Sequence, residues 1–357
     1  MSDLWPRNAL TKLLHLDFPL LQGPLTGRFS PDLITSVCYA GGLGLLEASY
    51  MSIEEIRKAI DLVRMKTRKR FNVHLYCIHN AIHMDRALEA QIALNPYRKK
   101  LGIPELSALP AMPCTFEEQF QVILDERVPV FSFSCGLLTQ DQMKALKNNK
   151  TFVIGTATNL AEIKALEQIG VDAIVLQGEE AGGHRATFIG SVTDSLLSLL
   201  TFIPLAKAIT RLPLIASGGI TSAAQIIAAL FLGAEGIQLG TAFAACAEST
   251  IPACYKKALK KFSSRPTVIT SAYSGRPARV IYTHFLDQLE KLPRTDFPYQ
   301  YILMQDLRDK CQQLSNIDFL PLFAGESFSQ VSDRSALEIF YELAQCTSQQ
   351  LKQLKQK

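Results

Sequence analysis

The sequence predicts an α/β protein, a closed (β/α)8 TIM barrel with an additional, mostly helical unit covering its mouth. Three observations predict it. Eight short apolar runs, each followed by a segment of helical periodicity, succeed one another through residues 18–240, and a strand-helix alternation sustained that long is the pattern of a parallel barrel. Glycines follow the sixth, seventh and eighth runs, at Gly178, Gly218 and Gly240, and loops at the carboxyl ends of barrel strands are where this architecture places its ligands. Two stretches break the alternation, residues 77–114 and the chain beyond Thr250; segments of such length read as added cover rather than bare loop.

Taken in order, the apolar run 18–21 ends in Gln22-Gly23-Pro24-Leu25, and Ser30-Pro31-Asp32 supplies an N-cap and an N1 proline for a helix to Ala40. Gly41-Gly42 closes that helix, residues 43–48 form the second strand, and Ser52 caps a helix with Ile53, Ile56, Ile60 and Val63 on one face. Residues 71–76 form the third strand. Residues 77–114, with His79, His83 and four prolines, read as a helical insertion. The rhythm returns with VPVFSFS at 128–134, a helix near 140–148, TFVIGTA at 151–157, a helix over 160–168 ending at Gly170, and the sixth strand at 173–178. An apolar helical stretch containing 196–209 leads to the seventh strand at 212–216, Thr221 or Ser222 caps the next helix, and 236–240 is the eighth strand. ALEQIGVDAIVLQG at 165–178 and ALFLGAEGIQLG at 229–240 echo one another; any strand-helix unit tends to this form, and the echo sets the register of strands six and eight. Residues 270–280 and 285–322 read as a mostly helical appendage. The expected organisation is a barrel of residues 1–76 and 115–260, a cover of 77–114 and 261–325, and a C-terminal helical tail at 326–357.

Composition narrows the function classes. The 357 residues are 48% hydrophobic and 20% charged, with a formal net charge of +4. The excess lies in scattered runs such as Lys256-Lys257, Lys260-Lys261 and the 352–357 tail, which suit solvated helix faces better than a nucleic-acid surface. The eight cysteines have no C-x-x-C spacing and no zinc-like Cys/His array, so no metal is expected and a reducing compartment is. Neither a secretory leader nor an apolar run of membrane-spanning length is evident. A cytoplasmic location is the expectation, with a small-molecule substrate, no nucleic-acid or membrane partner, and a homodimer left open.

The candidate site centres on IVLQGEEAGGHRATF at 174–188. Two glycines let the backbone approach a flat or anionic ligand, and His184 and Arg185 directly behind them put an imidazole and a cation at the mouth of the sixth strand. His184 is positioned to hydrogen-bond a polar substrate and to act as acid or base near neutral pH. Ser217-Gly218-Gly219 and Gly240-Thr241 occupy the two consecutive loops where barrels commonly hold a phosphate. Gln177 and Asn72, at or near strand ends, carry amides able to donate and accept at once. His74 shares a strand face with Asn72 and is by default a core histidine. Glu179 and Glu180, being adjacent, do not face one another as a catalytic carboxylate pair and read as loop acids.

With these residues in place the chain resembles the flavin-dependent nitronate monooxygenases, formerly 2-nitropropane dioxygenases. The matching segments are LLQGPLTG at 20–27, AGGLGLLEASYMS at 40–52, FNVHL at 71–75, QGEEAGGHRATF at 177–188, IASGGI at 215–220, LGAEGIQLGTAF at 232–243 and SGRPAR at 274–279. The resemblance implies a barrel holding FMN without a covalent link and a helical domain closing over it. It implies Pro24 and Leu25 as backbone contacts to the flavin ring, Asn72 and Gln177 at its polar atoms, and Gly182 and Gly183 near the ring or ribityl chain. Ser217, Gly218, Gly219, Gly240 and Thr241 would hold the phosphate, and His184 would face the substrate. The family often reads SFHFG on strand four with the histidine as base, whereas here Ser134 stands at that position and Cys135 follows. A serine hydroxyl takes no carbon-bound proton without an activating base. The expected activity is therefore oxidation of nitronates by O2, above any activity on nitroalkanes, with His184 and Ser134 stabilising the nitro oxygens. Tyr273, Tyr299 and Tyr301 are candidates for the pocket wall or for domain packing. Two alternatives are an FMN-dependent NAD(P)H reductase of quinones or enoyl thioesters on the same fold, and a flavin-binding protein without catalysis.

Overall fold

The computed structural model describes residues 5–26, 29–79 and 82–354. Gly27, which closes the LLQGPLTG segment, the first four residues and the last three of the lysine-rich tail lie outside them. Eight parallel strands form the barrel: β1 (Leu20–Gln22), β2 (Leu45–Glu47), β3 (Asn72–Tyr76), β4 (Val130–Ser134), β5 (Phe152–Ala157), β6 (Ala173–Gln177), β8 (Leu214–Ser217) and β9 (Gly236–Leu239). A two-residue strand, β7 (Gly183–His184), lies between β6 and β8 in sequence. The barrel order is β1-β9-β8-β6-β5-β4-β3-β2. The edges β1 and β2 meet at one seam, where Leu43 N–H donates to Leu20 O (3.1 Å) and Gln22 N–H to Leu43 O (2.9 Å). The buried Gln22 side chain continues that ladder, donating to Leu45 O (3.1 Å) and accepting from Leu45 N–H (3.2 Å). An amide side chain here stands in for a missing backbone pair, so the Leu45 N–H and C=O are both satisfied at the seam.

The helices between strands start where local chemistry directs. Ser52 with Glu55, Thr115 with Glu118, Thr139 with Gln142 and Ser222 with Gln225 each form a reciprocal capping box. Their apolar faces and the outer faces of the strands make one core running around the barrel. The barrel floor is separate: Leu10 and Leu14 of the helix Ala9–Leu14 pack against Leu21, Val130, Ile154, Val175 and Ile215. With the floor plugged, the opposite, carboxyl end is the open one. The C-terminal helix Ala336–Leu354 packs Phe340 into the outer core, and Trp5 Nε1–H donates to Ser348 Oγ (2.9 Å), fastening the two ends of the chain together.

The cover is built from two sequence-distant pieces. Ala90 and Leu94 of the helix Met84–Lys100 share a core with Tyr273, Leu286, Leu303, Leu307 and Phe319. Fully buried Arg98 spans the same junction, donating to Asp306 (2.7 Å) and to Leu303 O (2.7 Å). The segment expected to be mostly helical also contains sheet: β10 (Thr267–Thr270) and β11 (Ala278–Ile281) form an antiparallel pair, and β11 pairs in turn with β7. Both segments are short and rich in β-branched residues, TVIT and ARVI, and they flank a turn through Gly275, which favours a hairpin over a helix. No helix among the described residues is long and apolar enough to cross a membrane.

Candidate active site

Strand register sets the polar layer at the open end. Gln177, Ser217 and Gln238 are Cα neighbours across β6, β8 and β9, and Gln238 donates to Ser217 Oγ (3.3 Å). Above them lies an open cleft. Pro24, Leu25, Gln177, Gly182, Gly183, Ser217, Gly218, Gly219, Gly240 and Thr241 all line it. A smaller cavity, deeper toward the strands, is lined by His74, Tyr76, Ser132, Ser134 and His184. Pro24, Thr26, Gln177, Gly182, Gly183, Ser217 and Gln238 line both, so the two form one continuous site.

Three polar residues behave differently from the sequence expectation. Asn72 lines neither cavity; it sits one layer below, buried, and donates to Ser132 Oγ (2.8 Å) while its Oδ1 has no partner. Two residues further along β3, His74 takes the wall position, so this histidine belongs to the site and not merely to the core. Arg185 turns away from the mouth. Its guanidinium donates to Gly178 O (2.7 Å), Ser195 O (2.6 Å) and Gln177 O (3.2 Å), and burial lowers its pKa to about 10. It is a brace for the glycine loop and stays charged at neutral pH. Gln177 also braces: it donates to His184 O (2.9 Å) and accepts from Ala186 N–H (2.9 Å).

His184 is held from three sides. Its backbone pairs with Ala278 of β11, its ring packs on Phe297 and Phe323 (centroids 4.9 and 5.0 Å), and its Nδ1 lies 3.3 Å from Tyr76 OH. Tyr76 OH also bonds Thr26 Oγ1 (3.1 Å), and burial raises the phenol well above its ordinary pKa. The phenol therefore keeps its proton; where it donates to Nδ1, the neutral imidazole carries its proton on Nε2, an atom with no partner among the described residues. Burial, helped by the charge of Arg276, pushes the His184 pKa down to about 3. Desolvation disfavours the imidazolium, so burial holds this ring neutral at pH 7 instead of letting it titrate near the ordinary histidine value. Burial likewise lowers His74 to about 3.

These two shifts make stability depend on pH. Below about pH 6.5 the unfolded chain takes up a proton at each imidazole and the native protein does not, so stability falls as pH falls toward 3. Each histidine contributes about 1.4 kcal/mol per pH unit within that window. Urea unfolding at pH values from 7 to 5 should show the decline, and His184→Phe should reduce its slope by about one proton. An unchanged slope would mean that His184 is protonated in the folded protein.

The remaining expected residues are placed as follows. Ser134 ends β4 with its Oγ 3.1 Å from His74 Nε2 and 3.6 Å from Cys135 Sγ. Cys135 is buried at φ +70, and burial raises its thiol pKa. Thr241 Oγ1 accepts from Gly325 N–H (3.0 Å), which leaves its own proton for a ligand. Glu180 Oε1 accepts from Leu199 N–H (3.0 Å) and Glu179 O accepts from Arg279 Nε (2.8 Å), both bracing the loop. Of the tyrosines, Tyr301 lines the cleft and packs at a tilt against Tyr50 (centroids 4.5 Å), whereas Tyr273 belongs to the cover's core and Tyr299 donates to Pro110 O. Sequence reasoning missed Gln238, Tyr76, Ser132, Arg276 and Phe297. Gln238 was findable as a lone amide in the apolar run GIQLG. The others become visible only once strands and cover are assembled.

The comparisons with known proteins agree with this geometry. A family model described as Nitronate monooxygenase matches residues 7–345. A nitronate monooxygenase of Paraburkholderia phytofirmans is 36% identical over 365 residues, covering 100% of this chain and 99% of the relative. Among solved structures, nitroalkane oxidase from Streptomyces ansochromogenes superposes with a TM-score of 0.90 at 30% identity, covering 97% of this chain and 100% of that one. FabK from Thermotoga maritima superposes with a TM-score of 0.76 at 26% identity, covering 98% and 99%.

Proposed function

This chain belongs to the nitronate monooxygenase family of flavin oxidoreductases, and from that premise we propose that it uses FMN to oxidise alkyl nitronates with O2, giving a carbonyl compound and nitrite. The observation that carries the reading is the chemistry of the small cavity. Its lining contains no carboxylate and no lysine, and both of its histidines have pKa values near 3. A base so weak removes a carbon-bound proton from a neutral nitroalkane poorly at pH 7. A nitronate has already lost that proton. What it requires from the protein is donors at its two oxygens, and Ser134 and the His184 Nε2–H are of that kind.

The residues present fit FMN. Added Cβ atoms at Gly183 and Gly240 would meet nothing within 4 Å, so the backbone there fronts open cleft. Gly218 and Gly219, at φ +152 and +59, hold a turn that other residues rarely adopt, and with Gly240 and the Thr241 hydroxyl they would receive the phosphate. Pro24, Leu25, Gly182 and Gly183 would border the ring system, with Gln177 and Gln238 offering amides from below. Asn72 would act through Ser132 instead of touching the ring. When bound, the flavin supplies the electron acceptor. The protein's part is to hold the anion against it, keep bulk water out with the Tyr76, Phe297 and Phe323 wall, and present two proton donors. We also propose that residues 77–114 and 261–325 act as the substrate cover and that the enzyme works in the cytoplasm.

Steady-state oxygen consumption tests the reading. The nitronate should turn over with kcat/KM at least about 100-fold above its parent nitroalkane, the usual contribution of a positioned base. Equal rates would overturn it. Bleaching of the bound flavin by NADH or NADPH without oxygen, and not by a nitronate, would move the protein to the reductases.

A further inference from the structure

The inward faces of β3 and β4 carry a polar row of which the proposed reaction uses only the last member, Ser134, directly. Asn72, His74, Ser132 and Ser134 are all at least 95% buried, and His74 is the Cα partner of Ser132. Asn72 Nδ2 donates to Ser132 Oγ at 2.8 Å, Ser132 Oγ lies 2.9 Å from His74 Nδ1, and His74 Nε2 lies 3.1 Å from Ser134 Oγ. Four side chains thus make three consecutive hydrogen bonds that end at the cavity wall.

We propose that this is a one-way hydrogen-bond chain, oriented at Asn72, that makes Ser134 a fixed proton donor to the bound substrate anion, with His74 as the positioning residue. The inference rests on the nitronate reading above. The direction follows from counting protons. The Asn72 amide N–H fills an acceptor position on Ser132 Oγ and cannot itself accept. Ser132 Oγ has a second acceptor position, but if His74 filled it the Ser132 proton would have no acceptor among the described residues; His74 Nδ1, at 2.9 Å, is the acceptor within its reach. An Nδ1 that accepts is unprotonated, so the neutral imidazole carries its proton on Nε2 and donates it to Ser134 Oγ. Ser134 is left with its own proton, and an anion bound in the cavity is a stronger acceptor for it than Cys135 Sγ at 3.6 Å. The opposite direction would make Ser134 an acceptor backed by a base, suited to taking a proton from carbon. Asn72, which touches no ligand, therefore determines which half of the chemistry Ser134 can do.

The direct test is nitrogen NMR of the flavin-loaded protein labelled with ¹⁵N-histidine, at pH 7, with His74 assigned from the signals lost in His74→Gln. The expected result is a neutral ring with the proton on Nε2; a proton on Nδ1, or an imidazolium, overturns the proposal. Kinetics with a nitronate give a second readout. Gln at position 74 can still donate to Ser134, so His74→Gln should keep kcat/KM within about tenfold of wild type, whereas His74→Leu should lower it by about 100-fold at unchanged flavin content, comparable to loss of an oxyanion donor. Equal losses in the two variants would show that the imidazole does something an amide cannot, and would also overturn it. If wild-type protein turns over no nitronate while His74 carries its proton on Nε2, the assigned reaction fails and the chain's direction stands.

Discussion

Gly240→Val is expected to leave the polypeptide folded and to abolish flavin binding, lowering affinity by about 100-fold or more, the effect of roughly 3 kcal/mol of steric exclusion. Gly240 lines the cleft, has φ −98, and an added Cβ would meet nothing within 4 Å. The backbone therefore tolerates a side chain, and its methyl groups would extend into the cleft where the proposed phosphate would sit. Gly182 is the contrasting case. There an added Cβ would lie 2.4 Å from the Ala324 carbonyl carbon and 2.4 Å from the Gly325 nitrogen, so Gly182→Ala must push the loop and the 324–325 backbone apart and should lower the melting temperature of flavin-free protein. Flavin absorbance per mole of protein after gel filtration, together with thermal melts of stripped protein, separates the two. A Gly240→Val protein that retains a full complement of flavin would remove the phosphate from this loop.

His184→Phe is expected to lower kcat/KM for a nitronate by about 100- to 1,000-fold, as removal of a preorganised oxyanion donor does, with flavin content unchanged. Phenylalanine preserves the ring packing on Phe297 and Phe323 and leaves the backbone pairing with Ala278 untouched, so the variant isolates the Nε2–H from the structural role of the side chain. The wild-type rate should show no inflection between pH 5 and 8 from this imidazole, because burial and Arg276 keep it neutral throughout. A limb with a pKa near 6.5 that disappears in His184→Phe would instead assign it acid-base work.

The glycine loops could be placed from sequence because each is a local event. Gly178, Gly218-Gly219 and Gly240 follow apolar runs, the last two shortly before helix starts, and a turn that needs a positive φ or a close approach shows itself in the residues that make it. Ser134 was legible for a different reason: it stands where the resembled family often carries a histidine on strand four, and the structure puts it on the cavity wall. Asn72 and His74 show the limit. They alternate on one strand face, so sequence says that they share a side but not which of them reaches the cavity.

The sequence by itself determined the order of strands and helices, the end of the barrel that carries the site, and the glycine loops that line the cleft, because hydrogen-bonding period, capping and turn chemistry act over a few residues. Only the tertiary structure decided that His74 meets Ser132 and Ser134, that Arg185 folds back onto carbonyls while Arg276 and Phe297 arrive from the cover, and that both site histidines are neutral. Cross-strand register depends on closure of the whole barrel. A pKa depends on how much water the assembled wall excludes, and neither quantity is a property of any one stretch of chain.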